Sequence, residues 1–319
     1  MTKKIVRTFA PGAISSVFEI YNTISNVINL TDLQYMGARG GGFGLELGVH
    51  TKVIIEDAPM NSIQVTINDN VTAEAKVTKS MVQVLLGRVS EKYAVSVEHQ
   101  IAVPIGMGFG TSAGGALTTG LAIKEALNLP LTFNQIGEIA HSIEIQLQTG
   151  LGTVSSLTVG GGLILVTEPG APGICKIDRI PLNSDYIIVA GFYNKKISKA
   201  LLSSPEHKNV INHYGKQALT KILKTPCLDV FLSNCWSFAQ KAGFASNEVR
   251  ELVETSVRAG AIGAAQNMIG EAVHAVVLKE NASAVMEAFK KILPENQVLA
   301  CKLDFQGVRL IENRDKETI

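Results

Sequence analysis

Apolar and polar residues alternate along 62–67 (SIQVTI), and the alternation stops at Asn68-Asp69-Asn70, so the pattern predicts a strand followed by a turn. Strands are also predicted over 4–9, ending at Pro11-Gly12, and over 93–103, ended by Pro104, which cannot donate to a ladder. Residues 73–89 carry helical spacing. A helix over 112–127, stopped by Asn128-Leu129-Pro130, is apolar on nearly every face, which predicts burial. Its small residues (Ala113, Gly114, Gly115, Ala116, Gly120 and Ala122) allow close approach, and packing must offset the low helix propensity of glycine. A second helix is predicted over 132–148, with Thr132 and Gln135 in a capping-box pattern. Ile136, Ile139, Ala140, Ile143 and Leu147 make one stripe, and Glu144 sits on its border, a carboxylate at the edge of the core. A glycine-rich turn (TGLGTVSSLTVGGG) follows, then a strand over 163–167.

The second half repeats the alternation: strand 186–190, helical segments through 216–242, a helix from Asn247 to near Gly260, strand 272–278, helix 282–293 and strand 298–303. This order predicts a compact α+β unit. With the boundary near Gly160 to Gly162, the expected division is 1–160 and 161–319. Hydrophobic residues at 46% and charged residues at 18% make this a globular chain, not a disordered one. A net charge of +1, from 29 Lys+Arg and 28 Asp+Glu, offers nothing to nucleic acid or an acidic membrane surface. Cys175, Cys227, Cys235 and Cys301 form no C-x-x-C pair, which argues against a zinc site and a disulfide framework. The opening MTKKIVRTFAPG is broken by Arg7, and no run is apolar enough to cross a bilayer; the expectation is a soluble, cytoplasmic protein.

The chemistry concentrates in VPIGMGFGTSAGG, residues 103–115. Gly110-Thr111-Ser112-Ala113-Gly114 satisfies G-x-S-x-G, so a serine hydrolase using Ser112 with a downstream histidine is one reading. Gly108-x-Gly110-x-x-Ala113 is a partial dinucleotide fingerprint, but it comes after a third of the chain and lacks an acid at a following strand end. No G-x-x-x-x-G-K-[ST] occurs, which excludes a Walker A loop. The remaining reading is a different phosphate cradle: glycines turn backbone N–H groups toward an anion, and the helix start adds its positive dipole end. A hydroxyl at that start can ligate Mg²⁺, and Glu144 can supply the carboxylate the cation also needs. The competing structural reading is a packing turn with Ser112 as a simple N-cap.

Pro104-x-x-x-Gly108-Phe109-Gly110-Thr111-Ser112-Ala113 resembles the P-x-x-x-G-L-G-S-S-A phosphate loop of the GHMP kinases. Ala140-His141-Ser142-Ile143-Glu144 is similar to that family's helix carrying the magnesium glutamate, and Phe9-Ala10-Pro11-Gly12 to its N-terminal A-P-G segment. Within the superfamily the chain looks most like the archaeal pantoate kinases, on residues 37–43 (GARGGGF), 168–173 (EPGAPG) and 265–271 (AQNMIGE). The resemblance implies an α+β fold of two domains, ribosomal-S5-domain-2-like and then ferredoxin-like, with ATP and the acceptor between them. It also implies ATP and Mg²⁺, a small-molecule hydroxy-acid substrate, and a homodimer as a family expectation. Two departures bear on the acceptor. The turn after the glutamate helix reads Gly150-Leu151-Gly152-Thr153-Val154 where the resemblance leads one to expect G-L-G-D-V. The N-terminal segment reads Pro11-Gly12-Ala13-Ile14-Ser15 where P-A-H-I-T is common.

On this resemblance the nucleotide is assigned to Pro104, Gly106, Gly108, Gly110, Thr111, Ser112 and Ala113, and the metal to Ser112 and Glu144. Arg7 and Arg39 are the candidates for an acceptor carboxylate or the γ-phosphate, because guanidinium suits both anions. Thr153 can hydrogen-bond an attacking hydroxyl but is a poor base. Pantoate is the expected acceptor, with a mevalonate-type kinase as the alternative inside the family and the hydrolase as the alternative outside it.

Overall fold

Two long glycine-containing strands, β1 (Lys3–Tyr21) and β2 (Gly37–Asp57), run antiparallel and organise the first half of the chain. The computed structural model describes residues 3–21, 33–193, 204–268 and 270–312. β1 does not end at Pro11-Gly12 as its pattern suggested. A register shift between Pro11 and Gly12 takes the proline, which lacks an N–H, into the ladder, and the strand continues. β2 is a strand that the hydropathy pattern hid, because its first part is glycine-rich. Gly42 faces the Ile14 carbonyl so closely that no Cβ fits, and the glycines there serve backbone approach instead of an apolar face.

Among the described residues the first sheet has eight strands. Its path, β12-β1-β2-β5-β3-β4, uses β3 (Ser62–Ile67), β4 (Asn70–Val71), β5 (Tyr93–Ile101) and β12 (Arg309–Leu310). β6 (Leu163–Glu168) pairs with the opening of β2, and β7 (Lys176–Ile180) pairs with β6. The chain therefore passes from the first sheet to the second beyond residue 180, later than the expected boundary at 160–162, and β12 returns from the far end. Helices α1 (Lys76–Leu86), α2 (Thr111–Leu127) and α3 (Phe133–Leu147) cover one face of this sheet. α2 approaches as its small residues suggested: a Cβ on Gly114 would stand 3.0 Å from Val49 Cγ2. The Thr132–Gln135 capping box is formed. The glycine-rich turn after α3 contains a short helix, α4 (Thr153–Val159), because Val154 and Leu157 face the core between Gly152 and Gly160.

The second sheet has, among the described residues, four antiparallel strands in the order β11-β8-β10-β9. They are β8 (Tyr186–Phe192), β9 (Gly263–Gln266), β10 (Ala272–Leu278) and β11 (Val298–Lys302). Its helices are α5 (Pro205–Lys224), α6 (Leu228–Lys241), α7 (Asn247–Arg258) and α8 (Ala282–Lys290), giving the split βαβ order of a ferredoxin-like unit. α5 and α6 are separate because Pro226 disfavours helix at Thr225. One core spans both sheets, with Phe43 edge-on to Phe231 at 5.5 Å and Phe18 edge-on to Phe238 at 5.4 Å. Trp236 packs against that core, partly buried. Among the described residues no helix is long and apolar enough to cross a membrane.

Candidate active site

The segment between β5 and α2 lies at the seam of the two sheets. Gly106, Gly108 and Gly110 have φ of +81°, +80° and +65°, a conformation L side chains avoid, so the chain reverses within a few residues. Phe109 is buried beneath the turn, and its carbonyl accepts a hydrogen bond from Ala13 N at 3.0 Å, just past the β1 irregularity. Gly110 occupies the cap position of α2 with no side-chain cap, and Gly114 N is the donor to its carbonyl. The N–H groups of Thr111, Ser112 and Ala113 thus precede the first intrahelical donor, Gly114 N, and are free of intrahelical partners. Ser112 is not the N-cap.

Glu144, on α3, forms the second wall. It is 3% exposed, so it lies inside the core and not at its edge. Burial pushes its carboxyl above the ordinary range, and the hydroxyls of Ser112 and Thr149 work against that rise. Thr149 Oγ1 donates to Oε1 at 3.2 Å. Ser112 Oγ faces the carboxylate but is buried without a well-aligned hydrogen-bond partner. Gly150 abuts Oε2 so closely that a Cβ there would overlap it. A buried carboxylate with no cation paired to it among the described residues and an unpaired hydroxyl beside it are an oxygen donor set that fits a hard divalent ion. Among the described residues no group of three or more His, Cys, Asp or Glu could hold a metal by itself, which suits an ion whose other ligands come from phosphates and water.

Thr153 opens α4 beside Gly110: a Cβ on Gly110 would stand 2.9 Å from both Thr153 Cγ2 and Ala13 Cβ. The start of β2 closes this side, with the Ala38 carbonyl 3.4 Å from a Cβ placed on Gly152. Arg39, the next residue, pairs with Glu19 across the β1–β2 ladder through Nη1 at 3.3 Å, while its Nε is buried without a partner. Arg7 does not join them. Thr8 Oγ1 beside it reaches Thr118 O, well down α2 from the glycine turn, whereas Arg39 is tied to the Thr153 side through Ala38. A strand's length separates the two arginines, which the sequence alone could not reveal.

The third wall comes from the second sheet. Asn267 O lies 2.9 Å from a Cβ built on Gly108, and Met268 N donates to Ser15 O at 2.7 Å. Of the 265–271 stretch, Ile269 lies outside the described residues. The histidines take no part as bases on Ser112. His141 Nε2 bonds Met36 O at 2.9 Å, His99 is held by Thr51 and Thr78, and His274 by Ser16 and Asn267. Ser112 has no imidazole on it, and the sheet around it is largely antiparallel, which removes the basis of the hydrolase reading. Sequence reasoning gave no role to Thr149, Glu19, Asn267 or His274, although Thr149 opens the quoted glycine-rich turn and Asn267 lies in the 265–271 stretch.

Residues 76–161 match the GHMP kinases N terminal domain. The chain is 28% identical to a pantoate kinase of Methanocaldococcus jannaschii over 88% of this chain and 96% of that protein. It is also 28% identical to a pantoate kinase of Thermococcus kodakarensis, over 87% of this chain and 89% of that one. Among solved structures, a phosphotransferase related to the CoA biosynthesis pathway superposes with a TM-score of 0.82 at 25% identity, covering 97% of this chain and 99% of its own.

Proposed function

We propose that this chain, a member of the GHMP kinase superfamily, transfers the γ-phosphoryl group of ATP to the hydroxyl of pantoate, giving ADP and 4-phosphopantoate for coenzyme A synthesis. The observation that carries the kinase reading is the buried Glu144 carboxylate beside the unpaired Ser112 hydroxyl, at the mouth of a helix whose first N–H groups are free. The pantoate kinases that this chain resembles along most of its length support the choice of acceptor.

In this reading the turn through Gly106, Gly108 and Gly110, with Pro104 setting its start, cradles the phosphates, and Thr111, Ser112 and Ala113 contribute the helix-end donors. Ser112 and Glu144 would hold Mg²⁺, which when bound supplies charge neutralisation for the phosphates. Arg39 takes the pantoate carboxylate through its buried Nε, while Glu19 keeps the guanidinium in place. Thr153 orients the acceptor hydroxyl without deprotonating it. Phosphoryl transfer passes through a loose transition state in which positioning and charge matter more than early loss of the proton, so no carboxylate base is required there. Arg7, at the start of β1, takes no part in this reading.

The experiment is an acceptor screen measuring ADP release. Pantoate should support turnover, and mevalonate and its phosphates should not. Release with a mevalonate derivative but not pantoate would move the enzyme to the mevalonate-type branch, and no release with any hydroxy acid would end the pantoate reading.

A further inference from the structure

Asn267 follows β9 and is 0% exposed. Its backbone is satisfied: N donates to Ala272 O at 2.8 Å, and O accepts from Gly270 N at 2.8 Å. Its side chain begins against the glycine turn, with Cβ 3.2 Å from a Cβ built on Gly108. The amide oxygen lies 2.7 Å from His274 Nδ1, and His274 Nε2 lies 2.9 Å from Ser16 Oγ on β1. An amide oxygen can only accept, so Nδ1 carries the imidazole proton and bare Nε2 accepts from the serine hydroxyl. Burial drives the His274 pKa down to about 3, so this neutral tautomer persists across the working pH range. The chain of bonds fixes the amide and leaves one atom over. Asn267 Nδ2 is buried and has no hydrogen-bond partner.

A doubly donating nitrogen held inside a protein without an acceptor is costly, and the relay from Ser16 through His274 keeps it from rotating away. The turn it abuts is the one whose left-handed glycines and free helix-end N–H groups suit an anion. We propose that Asn267 is a further residue of the phosphate site: its amide nitrogen donates to an anionic oxygen of the ligand that the glycine turn holds, and His274 and Ser16 are the positioning residues that aim it. This inference rests on the kinase reading and adds to it a donor from the second sheet, so that nucleotide binding draws on both halves of the chain. His274, which has no base or metal role, acquires one through Asn267.

The test is calorimetric titration of the full chain with ATP and, separately, with adenosine, for the wild type and for Asn267→Ala, Asn267→Asp and His274→Leu, each checked as folded by its melting curve. The expected result is that Asn267→Ala weakens ATP binding about tenfold, the loss of one charge-assisted hydrogen bond. Asn267→Asp, which puts a carboxylate where a donor stood, weakens it more, and His274→Leu shifts it in the same direction. Adenosine, which has no phosphate, should bind all variants as it binds the wild type. Unchanged ATP affinity in both Asn267 variants would overturn the proposal, as would equal losses for ATP and adenosine, which mark general damage. A wild type that takes up no ATP would sink the kinase reading and this inference together, whereas ATP-binding variants that match the wild type sink the inference alone. If the Asp variant does not fold, the Ala variant decides.

Discussion

Replacing Glu144 with Gln keeps the shape of the side chain and removes the charge, and the surroundings of the carboxyl set the sign of the effect on stability. The group is buried, with its pKa raised by desolvation that Ser112 and Thr149 only partly offset. A folded-state pKa above the unfolded one means that the folded protein holds this proton more tightly. The group's contribution is intact below the ordinary carboxylate range and is lost as pH rises through the folded pKa. At pH 8, without metal, the fold therefore works against ionisation of this buried carboxyl, a cost that Glu144→Gln lacks. The amide can still meet the hydroxyls of Ser112 and Thr149, so the variant is expected to be more stable by about 1–3 kcal/mol, or a few degrees of melting temperature. Near pH 4 the two should converge. Adding Mg²⁺ with ADP reverses the order: the wild type gains stability through binding, the variant gains less, and its turnover falls by roughly a hundredfold or more. Thermal melts at pH 4 and pH 8, with and without Mg·ADP, read all of this in one set of curves. A variant that is less stable than the wild type at pH 8 without metal, or one that gains as much from Mg·ADP, would refute the assignment of Glu144 to the cation.

Gly110→Ala puts a Cβ at φ +65° within 2.9 Å of Ala13 and Thr153 and should lose about 1–3 kcal/mol of stability together with ATP affinity; a normal melt and normal nucleotide titration would contradict the tight turn. Thr153→Asp restores the residue expected from the G-L-G-D-V pattern at the start of α4 and should change the rate or the acceptor preference at saturating ATP; identical kinetics with every acceptor would place Thr153 outside the site. His99, held between Thr51 and Thr78, is kept neutral by burial that lowers its pKa to about 4. A depressed histidine loses its contribution as pH falls from about 6.5 toward 4, roughly 3 kcal/mol at one pKa unit per 1.36 kcal/mol. Urea midpoints between pH 7.5 and pH 4.5 should therefore fall less steeply in His99→Gln than in the wild type, and parallel slopes would show that His99 is not the group responsible.

What the sequence disclosed and what it withheld divide along a physical line. Segments whose face is decided by side-chain burial were readable: the alternation of 62–67, the all-apolar helix after the glycine turn, and the Thr132–Gln135 cap appear where local pattern puts them. β2 was missed because glycines there serve the approach of two backbones, and backbone approach leaves no hydropathy signature. α4 was read as a turn because its flanking glycines outweighed the two apolar residues that bury it.

The same division runs through the site. Ser112 and Glu144 could be paired from sequence because a hydroxyl at a helix start and a carboxylate beside an apolar stripe each have a local cause. Arg7 and Arg39 looked equivalent because guanidinium chemistry is the same everywhere on a chain. The ladder separates them, setting Arg39 opposite Glu19 toward the C-terminal end of β1 and Arg7 toward its start. Asn267 shows the limit most clearly. Its meaning depends on a glycine 159 positions earlier in the sequence and on a histidine whose only visible feature was its isolation. In the proposed site the glycine turn takes one donor from the second sheet, and that donor cannot be read until the fold has brought it against the first.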